Sequence, residues 1–206
     1  MSVRRIFVEK RQGFFDIPAQ QLHDDLVESF RLSGLKAVRL FNRYDIEGLS
    51  DEEYAQVKAV VFSEPPVDVV YEEELPTFPN STMFAVEYLP GQYDQTADSA
   101  AQCVQLVTQK ERPEIATARV VVLVGDVSAA DVEKIKNYYI NAVESREASM
   151  AKPETLDMNF LGLMLISPLW MAIMNTWSKG IENHWIMVSE SAEKKNTFLC
   201  LMKHLL

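Results

Sequence analysis

Apolar positions along this chain switch between a strand period and a helix period, and each switch falls at a glycine, a proline or a capping residue. Val3 to Val8 is a short apolar run that reads as a strand. After Gly13 the spacing changes. Leu22, Leu26 and Phe30 recur at helical intervals, Asp16 stands where an N-cap belongs, and Pro18 falls in the first turn, where its missing N–H costs nothing. The pattern predicts a helix over Ile17 to Ser33, with Gly34 as its stop signal. Leu35 to about Tyr44 returns to a strand. Ser50 and Glu53 then form a capping box that opens a helix carrying Tyr54, Val57, Val60 and Val61. Pro65 and Pro66 end that helix, and Val67 to Tyr71 reads as a closing strand.

The same order recurs. Met83 to Leu89 is a predicted strand, Asp94 caps a helix to about Gln109, Ile115 to Val124 is a strand, and Ser128 caps a helix to about Ile140. Val8, Glu9, Gly13, Asp16 and Ala19 reappear as Val86, Glu87, Gly91, Asp94 and Ala97, each 78 positions later, and Ser50 and Ser128 keep that interval. Agreement between residue identity and element order points to an internal duplication. Two β-α-β-α-β units of this size are each small for an independent core, so they are expected to pack together about a pseudo-two-fold axis, helices on one face of mainly antiparallel sheets. A doubly wound nucleotide fold is disfavoured. The turns KRQGFFD and YLPGQYD carry one glycine each, where a phosphate loop needs several.

From about Asn159 the composition changes. All three tryptophans and most methionines lie beyond this point, and every arginine lies before it. Phe160 to Met174 is apolar but shorter than the roughly 20 residues that span a bilayer, and Pro168 interrupts it. A buried or partner-covered helix is expected there, with a membrane-surface segment and a tail foreign to the fold as alternatives.

The charge of −10 excludes clustered phosphate contacts, so no nucleic-acid partner is expected. Cys103 and Cys200 are far apart, which argues against a disulfide framework. The first residues lack the apolar core of a signal peptide, and a cytoplasmic location with no membrane partner is expected.

Candidate chemistry is sparse. His23, beside Asp24 and Asp25, has no second ligand at helical spacing and reads as an exposed helix residue. Cys200 and His204 share a helix face, but two ligands do not close a zinc site. Cys103, among Ala100, Ala101, Val104 and Val107, is expected to be a small buried hydrophobe. Glu72, Glu73 and Glu74 read as a solvated linker between the repeats. No catalytic, cofactor-binding or metal residue is therefore assigned. Two stretches stand apart: LKAVRLFNRYDIEGL, with Arg39, Asn42, Arg43 and Tyr44, and KNYYINAVESREASMAKPETL, with Glu144 and Arg146. These six polar residues either cap strands and helices or dock another domain.

At these residues the sequence resembles the amino-terminal domain of phosphoribosylformylglycinamidine synthase, the large single-chain bacterial form. The likeness is carried by VRRIFVEK, LKAVRLFNRYDIEGLSDEEY and IKNYYINAVESREASMAKPETL, and it runs in order from about Ser2 to Leu156. It implies a parent ligase of purine biosynthesis that uses ATP, magnesium and glutamine-derived ammonia to convert formylglycinamide ribonucleotide into its amidine. The amino-terminal domain of that family is non-catalytic and bridges the synthetase and glutaminase domains, which would be the partners here. No cofactor is implied for this chain itself, and the fragment is expected to be inactive alone. Ala142 departs from the family, where proline usually follows the asparagine at position 141. The likeness stops at about Leu156, so the chain reads as a truncated product with an unrelated tail.

The expected architecture is α+β: two ferredoxin-like β-α-β-α-β repeats at 1–74 and 82–152 in a domain of 1–156, then a helical C-terminal tail at 157–206. The alternative function is a stand-alone small-molecule-binding regulatory module.

Overall fold

The computed structural model describes residues 2–13 and 15–156, so the tail with its Trp, Met, His184, Cys200 and His204 lies outside the described residues. The fold is mixed α+β, with one six-stranded antiparallel sheet and four α-helices among the described residues. In chain order these are β1 (Arg4–Lys10), α1 (Ile17–Phe30), β2 (Leu35–Glu47), α2 (Asp51–Val57), β3 (Asp68–Glu72), β4 (Ser81–Tyr88), α3 (Gln95–Thr108), β5 (Glu114–Gly125), α4 (Ala129–Tyr139) and β6 (Ser145–Ala148). A π-helical turn, Lys58–Phe62, continues α2. The strand order is β3-β1-β2-β5-β4-β6, which places β2 and β5 at the centre. One compact unit ends at Leu156.

Alternation along the strands sorts side chains onto two faces. On one face Leu22 and Leu26 of α1 and Val132 and Ile135 of α4 pack on Val38, Phe84, Val121 and Leu123. Tyr54 and Val57 of α2 and Ala100 and Val104 of α3 pack separately on Ile6, Val8 and Ile46. The helix layer is therefore divided into two clusters. Among the described residues the opposite face carries no helix: Phe7, Phe41, Ala85, Ala118, Val120 and Val122 are covered by Leu75, Phe78 and Met150 from connecting segments. Because both of its faces are covered, β5 reads as the unbroken run Val120–Leu123 rather than as an alternation.

Most helix signals act where the sequence places them. Ser50 accepts from the Glu53 backbone N–H at 3.3 Å while the Glu53 carboxylate accepts from the Ser50 N–H at 2.8 Å, completing the capping box. Asp94 and Ser128 cap α3 and α4 through Ala97 N–H and Asp131 N–H. Two signals act differently. Asp16 occupies the N-cap position of α1 without capping it; its carboxylate accepts from the Gly13 N–H and the Gln20 side chain. Arg31, in the left-handed conformation, ends α1 three residues before Gly34. Gly34 serves a close approach instead: a Cβ there would stand 2.1 Å from the Asp126 backbone oxygen.

Equivalent burial supports the 78-residue interval in the outer elements. Ile6, Phe7 and Val8 face the same ways as Phe84, Ala85 and Val86, and Ala19, Leu22 and Leu26 of α1 match Ala97, Ala100 and Val104 of α3. In the central strands similar features recur at a spacing of 77: Ile46 and Leu123 are both buried, and the positive-φ Gly48 and Gly125 stand at the ends of β2 and β5. A one-residue difference of that kind exchanges faces, so burial in β2 and β5 agrees at a spacing of 77 and not of 78. Their register places Asn42 directly opposite Arg119 (119 − 42 = 77).

Candidate functional site

The two central strands carry polar residues on both faces, and alternation divides the six singled-out residues between them. Arg39 and Arg43 point to the helix-free face, whereas Asn42 and Tyr44 lie with Glu144 along a cleft on the helix face. Arg146, on edge strand β6, is exposed and pairs with Glu87 through Nε at 2.8 Å and Nη2 at 2.7 Å. The six do not form one continuous patch.

On the helix-free face an ionic network is buried. Arg5 and Asp45 are both 3% exposed and share two hydrogen bonds, Nε to Oδ1 at 2.5 Å and Nη2 to Oδ2 at 2.9 Å. Arg43 stands 3.3 Å from Asp45 at ion-pair distance. Burial pushes the Arg43 guanidinium down from its ordinary value; Asp45 opposes that shift and Arg5 reinforces it. Other donors of the two arginines hold the chain after β6. Arg43 donates to the Ser149 carbonyl at 2.7 Å, and Arg5 donates to the Met150 carbonyl at 2.7 Å and the Ala151 carbonyl at 3.2 Å. Glu47 accepts from the Leu156 N–H at 2.6 Å, and Lys152 reaches Glu73 at 2.5 Å. The 149–156 segment is thus strapped across the sheet by side chains from β1 and β2.

Arg39 forms a bidentate pair with Glu9 at 2.6 and 2.5 Å and stacks over Phe78, 4.4 Å from the ring centroid. Burial would lower its pKa, but the Glu9 hydrogen bonds and charge outweigh that and hold it above the ordinary value. Planar stacking with a carboxylate fork is chemistry that arginine supplies and lysine does not.

On the helix face the cleft has a volume of about 280 Å³ and a floor formed by Asn42 and Arg119. Both are exposed although they sit in central strands, because the helix layer parts above them. Tyr88, Tyr139, Thr96 and Glu144 form its walls. Tyr44 packs edge-on against Phe62 with centroids 5.3 Å apart, and burial, followed by the charges of Asp68 and Asp94, raises its hydroxyl pKa. Thr117 donates to Asp94 at 2.5 Å, tying β5 to the first turn of α3.

Several expectations are corrected. Cys103 is exposed, not buried, because the stripe Ala97, Ala100, Ala101 and Val104 faces the sheet and position 103 falls outside that arc. Glu72–Glu74 is not simply a solvated linker: Glu72 ends β3 and pairs with Lys58, and Glu73 accepts from the Arg5 backbone N–H at 3.3 Å besides holding Lys152. His23 is half-buried rather than exposed, with Nδ1 3.0 Å from Asp24. Among the described residues no three His, Cys, Asp or Glu side chains converge as a metal site, and no helix is long and apolar enough to cross a membrane.

Sequence reasoning passed over Arg119 and the Arg5–Asp45 pair. The available signal was a charged residue inside an apolar strand run, in TARVVVLV, VRRIFVE and NRYDIE. No family model, curated protein or solved structure matches the chain.

Proposed function

We propose that residues 1–156 are a non-catalytic structural domain of the kind found at the amino terminus of phosphoribosylformylglycinamidine synthase, where it would bridge synthetase and glutaminase domains. The observation that carries this reading is the sequence likeness across Ser2 to Leu156, whose three motifs fall on β1, β2 with the start of α2, and α4 with β6. In the parent enzyme ATP, magnesium and glutamine would act on the partner domains, not on this one.

The element order supports a duplicated, ferredoxin-like plan. β1-α1-β2-α2-β3 is followed by β4-α3-β5-α4-β6, and each half contributes three strands, ordered β3-β1-β2 and β5-β4-β6. With a 77-residue interval in the central strands, the pair Asn42 and Arg119 is its own symmetry mate, so a pseudo-two-fold axis would run through it, normal to the sheet. Two halves joined through central strands suit a rigid spacer between moving catalytic parts.

Docking would use two surfaces: Asn42 and Glu144, with the partly accessible Tyr44, on the helix face, and the partly accessible Arg39 on the other face, with Arg146 exposed at edge strand β6. Arg43, 5% exposed, would act from beneath by holding the 149–151 strap. The test is a domain exchange. Residues 1–156 replace the amino-terminal domain of a single-chain enzyme of that family, and amidine formation is measured with glutamine and with free ammonia. Restored glutamine-dependent synthesis at a glutamate-to-amidine ratio near one is expected. A soluble chimaera that uses ammonia but wastes glutamine would remove the bridging role.

The second reading, a small-molecule-binding regulatory module, is favoured by the cleft over the central strands.

A further inference from the structure

The centre of an antiparallel sheet layered with helices is ordinarily its driest part. Here Asn42 and Arg119, opposite one another on β2 and β5, are both exposed at the floor of the cleft. Two charges of opposite sign reach this space without partners among the described residues: the Arg119 guanidinium and the Glu144 carboxylate. The neighbouring carboxylates are occupied, Glu87 by Arg146 and Asp94 by Thr117 and the Ala97 N–H. Arg119 and Glu144 line the same cleft without pairing with each other.

We infer that the cleft binds a free α-amino acid, with its carboxylate on Arg119 and Asn42, its ammonium on Glu144 and its side chain between Tyr88 and Tyr139. A simple anion would meet Arg119 but face the unpaired Glu144, and a simple cation would do the reverse; only a zwitterion satisfies both. The guanidinium fork matches a carboxylate in bidentate geometry. A volume of about 280 Å³ admits an amino acid and lies below the range usual for larger ligands. Thr96, at the first turn of α3, adds a hydroxyl that can donate to the carboxylate.

Asn42 and Glu144 are shared with the proposed docking surface, and the readouts separate the two roles: ligand titration of the isolated chain probes the cleft, and domain exchange probes the scaffold. The purified full chain is titrated calorimetrically with each of the twenty amino acids, with inorganic phosphate and with adenosine monophosphate. Saturable binding of at least one amino acid is expected, weakened at least tenfold by Arg119→Gln and by Glu144→Gln. N-acetylation of that amino acid should weaken binding to the wild type and cost little more in Glu144→Gln; amidation of its carboxylate should show the same relation to Arg119→Gln. Both side chains are exposed, and circular dichroism checks that the variants remain folded. Absence of saturable heat with any amino acid, binding unchanged in both variants, or Arg119-dependent binding of phosphate or the nucleotide alone would each overturn the assignment.

Discussion

Arg5 and Asp45 stand directly opposite one another on β1 and β2 and close a two-point hydrogen-bonded ion pair on the face of the sheet that holds Phe7 and Phe41. The same arginine holds the carbonyls of Met150 and Ala151, about 145 residues away in sequence, so one side chain joins the first strand, the second strand and the end of the described chain.

Arg5→Ala should therefore destabilise residues 1–156 strongly. Removing one partner of a buried pair leaves the other charge uncompensated, at a cost of about 3–5 kcal/mol. Urea denaturation of the full chain measures this, and Asp45→Ala should fall in the same range. A loss below about 1 kcal/mol in both would mean that water reaches the pair.

Arg43→Ala and Arg146→Ala should separate. Arg43 is buried against Asp45 and the Ser149 carbonyl, and its truncation is expected to cost about 2–4 kcal/mol. Arg146 pairs with Glu87 at an exposed edge, where such pairs contribute about 0–1 kcal/mol. Equal melting temperatures for the two variants would contradict the burial difference.

The α2 capping box should be visible in pH dependence. The hydrogen bond from Lys110, then those from Ser50, hold the Glu53 carboxyl down at about 2, against an ordinary 4.5. With a depressed pKa, its contribution is fully present above about 4.5 and is lost as pH falls through about 2. Ser50→Ala should cost about 1 kcal/mol at neutral pH. The gap between wild type and variant should narrow when unfolding is measured across that acid window, and Lys110→Ala should shift the window upward.

Glycine substitutions should rank by contact as well as by φ. At Gly125 (φ +135°) a Cβ would lie 2.2 Å from the Gly34 backbone oxygen, whereas at Gly13 (φ +100°) it would meet nothing within 4 Å. Gly13→Ala should cost about 1 kcal/mol, from backbone strain alone. Gly125→Ala adds a clash between backbones and should cost about 3 kcal/mol or more. Thermal melting orders the two.

Local structure was legible in the sequence because its determinants lie within a few residues of each other. The Ser50, Asp94 and Ser128 caps act through N–H groups three positions away, and apolar spacing marked the helices and most strands. The four-residue β6, Ser145–Ala148, was implied only by the repeat, since SREA has no apolar run of its own. Matching residue identities 78 positions apart were visible in the sequence, but the agreement in burial between β2 and β5 at a spacing of 77 was not: a one-residue slip exchanges faces. Strand alternation separates Arg39 and Arg43 from Asn42 and Tyr44, and no spacing rule along one strand says which set meets a helix.

By itself the sequence determined an α+β chain, the caps of α2, α3 and α4, and the polar residues of β2. Only the tertiary structure decided that β2 pairs with β5, that Arg5 and Arg43 strap the 149–151 segment, and that Arg119 and Glu144 share a cleft. The physical reason is range. Caps and periodicity are set by neighbours in the chain, whereas strand order, burial of a charge and the meeting of two unpaired groups depend on residues brought together from far apart, once the whole sheet has closed.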